Sequence, residues 1–140
     1  MNVNFVEILK KNHLKITLQR IAILEALYQI PLHPTVENIR EKLTEQYPTI
    51  SLTTIYNTLE TFCQHGLVKK IKTDQDKVRY DRITEPHHHI YCRECDHVSD
   101  FFDPRLDEIL RQYFNDHPIK GWKITDITLQ ISGYHNKNKN

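Results

Sequence analysis

A chain of 140 residues that is 39% hydrophobic and 26% charged is rich enough in apolar residues for one medium domain or two small ones, which excludes a disordered chain. No apolar run reaches the roughly 18 residues of a membrane span, and the start, MNVNFVEILKK, mixes acid and base where a signal peptide would be apolar, so a cytoplasmic protein is expected. A net charge of +1 excludes nothing about nucleic acid, while three cysteines are too few, and odd in number, for a disulfide scaffold.

The first half reads as helices. Phe5, Ile8 and Leu9 mark a short one. Thr17 is placed to cap a second, with Ile21, Leu24, Leu27 and Tyr28 at helical spacing. His33-Pro34 interrupts the pattern, and Thr35 caps a third helix through Val36, Ile39 and Leu43. Ser51 opens a fourth, with Leu52, Ile55, Leu59 and Phe62 inward and a close at Gly66. Two strand-like runs follow, Leu67 to Ile71 and Lys77 to Tyr80, joined by a polar turn from Lys72 to Asp76. This order is that of a winged helix-turn-helix over residues 1–82. Residues 83–86, ending at Pro86, form a connector or hinge.

The second half, 87–140, reads as a small α/β unit. His89 to Cys92 and His97 to Phe102 suit a hairpin turning through Cys92-x-x-Cys95. Asp103-Pro104 is an N-cap followed by Pro at the first helical position, opening a helix through Leu106, Ile109, Leu110 and Phe114. Ile127, Leu129 and Ile131 alternate as a final strand, and a polar tail runs from His135. A unit of this size is marginal alone, which favours a homodimer joined through it. The fold class is therefore α+β, an N-terminal winged helix plus a small C-terminal dimerisation domain.

Charge divides in the same way. Residues 1–82 carry 12 Lys+Arg against 9 Asp+Glu, and 83–140 carry 7 against 9, which tilts only the first half towards an anionic partner. On the fourth helix Thr53, Thr54, Tyr56 and Asn57 point outward, offering groups that can meet phosphates, thymine methyls and adenine edges in a major groove. An ordinary amphipathic helix with a solvated polar face has the same spacing. What favours double-stranded DNA is the trailing hairpin with Lys69, Lys70, Lys72 and Lys77, and Lys15 ahead of the second helix adds a further phosphate contact. With no Arg on the helix for bidentate guanine reading, the expected target is an A·T-rich inverted repeat.

Residues 87–100 gather four imidazoles, two thiols and three carboxylates into fourteen positions, a density that fits a transition-metal site. His87 and His89 alternate along a strand and share a face, while His88 points to the other.

Together, Lys15-Ile16-Thr17-Leu18-Gln19-Arg20, His33-Pro34-Thr35, Thr54-Ile55-Tyr56-Asn57-Thr58-Leu59 and His87-x-His89-x-x-Cys92-x-x-Cys95 resemble the ferric uptake regulator family over about residues 15 to 133. Asp100, where iron-uptake sensors usually carry Glu, makes the likeness strongest to the peroxide-sensing PerR-type branch. The resemblance implies one regulatory site per subunit, built from His33, Asp81, His87, His89 and Asp100. Three imidazoles and two carboxylates with no thiolate suit Fe(II) or Mn(II) and leave a sixth position open. On the residues alone, His33 reads better as a solvated loop residue before proline, and only the resemblance makes it a ligand. An ion held by both halves would clamp them in one orientation and so raise DNA affinity. In the peroxide-sensing branch Fe(II) reacts with hydrogen peroxide and a ligand histidine is oxidised, here His33 or His89, after which the repressor leaves DNA. The alternative is an iron-uptake-type, metal-responsive repressor without peroxide sensing. An enzyme is not expected: five filled positions leave little room for a substrate, and the chain has neither a Gly-rich phosphate loop nor a nucleophile elbow.

Two departures from the family pattern stand out. Many relatives carry a second Cys-x-x-Cys near the C-terminus that completes a four-cysteine zinc site. Here Ser132 to Asn136 occupies that region, and Cys63 falls in the fourth helix. Cys92 and Cys95 have only His97 or His135 to help them hold zinc, so a zinc-free hairpin is expected. Pro86, His88 and Ile127 stand where relatives place a second set of regulatory ligands, so no second regulatory site is expected.

Overall fold

The computed structural model describes residues 3–31, 33–73 and 76–135. The chain divides into two compact units, Met1–Thr84 and Glu85–Asn140. The polar tail beyond His135, and Asp74 and Gln75 in the turn between the lysine-rich strands, lie outside the described residues.

In the first unit each helix starts where a short polar side chain satisfies an orphan amide. The helices are α1 (Phe5–Lys11), α2 (Leu18–Gln29), α3 (Val36–Leu43) and α4 (Leu52–Gln64). Asn4, Thr17, Thr35 and Ser51 accept from the amides of Glu7, Arg20, Asn38 and Thr54 respectively. At α3 the cap is reciprocal, because the Thr35 amide also donates to Asn38 Oδ1 at 3.0 Å. At the end of α4, Gly66 takes φ 75, the Leu67 amide donates to Phe62 O at 2.9 Å and the Gly66 amide to Cys63 O at 3.1 Å. That is a Schellman stop, and glycine fits it because it pays no Cβ penalty at positive φ.

α2 lies in the middle, packed against α1, α3 and α4. It therefore buries a broader face than the expected stripe: Ala22, Ile23, Leu24, Ala26 and Leu27 are buried, while Ile21 and Tyr28 are only partly so. Ile39, Leu43, Ile55, Leu59 and Phe62 complete the core from α3 and α4. β1 (Lys69–Lys72) and β2 (Val78–Asp81) form the antiparallel hairpin, in register from Lys69 opposite Asp81 to Lys72 opposite Val78. Tyr80 of β2 enters the core, and its amide donates to Pro34 O at 2.9 Å, stitching the hairpin to the loop after α2.

The second unit is a three-stranded sheet with one helix. β3 (His88–Cys92) and β4 (His97–Phe101) pair antiparallel, and β5 (Gln130–Gly133) runs parallel to β3 in the order β4-β3-β5. Between β4 and β5 the chain forms α5 (Pro104–Asp116), capped by Asp103, whose side chain accepts from the Leu106 amide. Parallel pairing requires such a long crossover.

The final strand differs from expectation. It begins only at Gln130, leaving Ile127 and Leu129 outside it, and Ile131 is 42% exposed. Its limits follow β3, where His89 to Cys92 stand opposite Gln130 to Gly133. Just before it, the Leu129 carbonyl accepts from the His89 amide and the Leu129 amide donates to His88 Nδ1. Among the described residues no helix is long and apolar enough to cross a membrane.

Candidate metal centre

In the first unit, His33 and Asp81 are brought together by β2. Arg79 Nη1 donates to the His33 carbonyl at 2.8 Å, and the next amide along, Tyr80, holds Pro34. The residue after Tyr80 is Asp81, and its Oδ2 lies 3.5 Å from His33 Nε2, with the two side chains 4% and 10% exposed. The Ile83 amide donates to Asp81 Oδ1 at 2.9 Å, fixing the carboxylate. A buried imidazole and a buried carboxylate thus present nitrogen and oxygen donors at one spot.

In the second unit, His87, His89 and Asp100 converge. His89 and Asp100 are cross-strand partners, and the His87 and His89 rings sit 4.6 Å apart, confirming their common face. Asp100 Oδ1 lies 3.0 Å from His87 Nε2 and 3.4 Å from His89 Nε2. His87 Nδ1 lies 2.7 Å from the Glu85 carbonyl, which can only accept, so Nδ1 carries the proton and donates. In the neutral ring Nε2 then aims a lone pair at a carboxylate oxygen. Two acceptors at that distance call for a second proton on the ring or a cation that both can ligate. An imidazole whose far nitrogen donates to a carbonyl is the usual arrangement around a bound metal. Phe102 stacks on His87 at 5.2 Å and 15°.

His88 is buried on the other side, and both its nitrogens are engaged. Nδ1 accepts from the Leu129 amide at 3.0 Å, so Nε2 is the protonated nitrogen and donates to Asp107 Oδ1 at 2.5 Å. It fastens β3 to α5 and to the approach of β5.

The Cys-x-x-Cys turn gathers a third group. Cys92 Sγ accepts from the Cys95 amide at 3.4 Å, and Cys92, Cys95 and His135 offer ligand atoms all within 4.8 Å of one another. His135 joins the thiols and His97 does not, which separates the two partners left open by the sequence. Hydrogen bonds from the Cys95 thiol, and then from the amides of Cys95, Glu94 and His135, hold the Cys92 thiol below its ordinary value. As the donor of the first of these, the Cys95 thiol is pushed up. Cys63 stays in the first unit on α4, where burial raises its thiol.

On the outer side of α4, Thr53, Tyr56 and Asn57 are exposed, while Thr54 is half-buried with its hydroxyl shared with Ser51 Oγ at 2.9 Å. Lys15, Lys69, Lys72 and Lys77 are exposed. Lys70 is paired with Glu60, which holds its ammonium above the ordinary value and occupies a charge expected to meet phosphate. Arg79 and Phe102 were not anticipated as supports of the candidate ligands His33 and His87. Nothing local marks them, because the contacts that give them this role are tertiary.

A helical unit closed by a β-hairpin, joined to a small sheet unit rich in imidazole and carboxylate, defines the class of winged-helix proteins with a metal-binding domain. The family is the ferric uptake regulator family, which matches residues 11–132, and the chain belongs to it. It is 37% identical over 128 residues to the peroxide operon regulator of Bacillus subtilis, covering 91% of this chain and 86% of that one. To the peroxide-responsive repressor PerR of Staphylococcus saprophyticus it is 39% identical over 127 residues, covering 89% and 82%. Among solved structures, the ferric uptake regulator of Vibrio cholerae superposes with a TM-score of 0.79 at 28% identity, covering 94% of this chain and 99% of that one.

Proposed function

We propose that this chain is a metal-dependent transcriptional repressor that releases DNA in response to hydrogen peroxide. In this reading His33 and Asp81 of the first unit and His87, His89 and Asp100 of the second ligate one Fe(II) or Mn(II) per subunit, and the protein works as a cytoplasmic homodimer. Thr53, Tyr56 and Asn57 read an A·T-rich inverted repeat, with Lys15, Lys69 and Lys77 on phosphates.

The observation that carries the reading is the convergence of two imidazole nitrogens on one carboxylate oxygen, with His87 Nε2 at 3.0 Å and His89 Nε2 at 3.4 Å from Asp100 Oδ1. A hard-to-borderline cation can bridge these donors, and a set of imidazoles and carboxylates without thiolate suits Fe(II) and Mn(II). Because the five ligands are divided between the two units, binding favours one mutual arrangement of them and so shifts the population towards the DNA-binding form. When bound, Fe(II) supplies reactivity towards peroxide that Mn(II) lacks. An imidazole that gains oxygen on a ring carbon is a poorer donor, and its loss releases the clamp.

Anaerobic DNA binding with Fe(II) or Mn(II), before and after stoichiometric peroxide, tests this when intact mass is followed on the same samples. Metal raises DNA affinity by about 5–150-fold, the ordinary span of an allosteric coupling. Peroxide abolishes that gain only in the iron sample, with the mass of one added oxygen. Peptide mapping then assigns the oxygen to His33 or His89. Binding that survives peroxide unchanged in both samples moves the chain to the iron-uptake-type reading.

A further inference from the structure

We infer that Phe102 is a positioning residue for the metal centre. Its ring stacks on His87 and holds that imidazole in the plane that turns Nε2 towards Asp100. The inference rests on the reading of His87 as a ligand and adds to it a residue that donates nothing to the metal.

The register of the sheet brings the two rings together. His88 pairs with Phe101 and His89 with Asp100, so one further step along the antiparallel ladder sets His87 opposite Phe102. Alternation then places His87, His89, Asp100 and Phe102 on one face. His87, His89 and Asp100 carry metal-ligating groups, and an aromatic ring fills the remaining corner. The rings of Phe102 and His87 lie 5.2 Å apart at 15°, a parallel stack, while His89 meets His87 edge-on at 4.6 Å.

His87 lies just outside the strand, since β3 begins at His88. The torsion that turns an imidazole about its Cβ is soft. The bond from Nδ1–H to the Glu85 carbonyl at 2.7 Å holds one edge of the ring, but a single bond at one edge still lets the plane swing about it. Contact on the ring face removes that swing and leaves Nε2 3.0 Å from Asp100 Oδ1.

Phe102 is itself pinned from both sides. Phe101 before it is the last residue of β4, and Asp103 after it caps α5, its side chain accepting from the Leu106 amide at 3.0 Å. Yet Phe102 is 63% exposed, against 6% for His87. Core packing therefore does not account for this aromatic ring, and its replacement costs the second unit little buried apolar area.

Mn(II) titration of the full chain tests the role, beside Phe102→Leu, Phe102→Tyr, His87→Ala and the combination of His87→Ala with Phe102→Leu. Leucine keeps apolar bulk without a flat face, and tyrosine keeps the face. Phe102→Leu is expected to weaken Mn(II) binding by about 2–10-fold, the span of an aromatic pair, and Phe102→Tyr to bind as the parent does. In the His87→Ala background Phe102→Leu adds nothing further, because Phe102 acts only through His87. NMR of the metal-free proteins gives a second readout: the His87 ring protons shift in Phe102→Leu and stay near their parent positions in Phe102→Tyr. Parent-like Mn(II) binding by Phe102→Leu, or unmoved His87 protons in that variant, overturns the inference. So does a tyrosine variant as weak as the leucine one, or an equal loss in both backgrounds, which marks a purely structural effect. In each of these cases His87→Ala still weakens binding, and the ligand assignment stands. Parent-like binding by His87→Ala instead removes His87 from the centre and overturns both readings.

Discussion

Tyr80 shows what a single buried polar atom costs this fold. Its ring is 1% exposed in the core of the first unit, and its hydroxyl has no hydrogen-bond partner among the described residues. Burial pushes the phenol from 10.0 up to about 12. The folded state thus holds this proton more tightly than the unfolded chain does. Stability from the neutral phenol is present below the unfolded value and is lost as pH rises between the two. Tyr80→Phe is expected to raise stability by about 1 kcal/mol near neutrality, because it removes an unpaired buried hydroxyl. It should also flatten the decline above about pH 10. Urea unfolding of parent and variant at neutral and alkaline pH measures both effects, and a variant less stable at neutrality would show that the hydroxyl has a partner after all. At this scale the sequence was informative wherever period decides direction: His87 and His89 share a face and His88 opposes them because strands alternate. Arg79 holding the His33 carbonyl, and His88 reaching Asp107, were not legible, because each joins residues tens of positions apart or more or a strand to a helix.

At the level of elements, the caps were the most readable signal, since the cap residue and the amide it serves are three residues apart. Thr17, Thr35, Ser51 and Asp103 all cap as their sequence context predicts. The last strand was misread for the opposite reason: its limits are set by β3, some forty residues earlier in the chain, and alternation in Ile127, Leu129 and Ile131 carries no information about that partner. The reciprocal cap on α3 can be tested by a mutant cycle. Thr35→Ala is expected to cost about 1–2 kcal/mol, and Asn38→Ala, which frees only the Thr35 amide, roughly half as much. Because each side chain serves the other's backbone, the double variant should lose less than the sum by about 0.5 kcal/mol or more. Strict additivity in equilibrium denaturation would mean that the two bonds form independently.

For the whole molecule, the second unit's surface argues for a second copy of the chain. Trp122 is 77% exposed, Ile109 56% and Tyr113 54%, and Ile109 and Tyr113 lie one helical turn apart on α5, on the same side. Exposed large apolar groups in number, on a helix with no buried residue, mark an interaction face. The sequence anticipated the need for a partner from the size of the unit, and the structure adds which residues face outward. Ile109→Asp with Tyr113→Asp is expected to convert a dimer into a monomer in analytical ultracentrifugation, because two charges would then have to be desolvated at each copy of the interface. The fold of the first unit, whose core lies in α1 to α4 and the hairpin, should persist by circular dichroism. DNA affinity should fall steeply, since one recognition helix then replaces two on an inverted repeat. A double variant that still sediments as a dimer would place the interface elsewhere than on this face of α5.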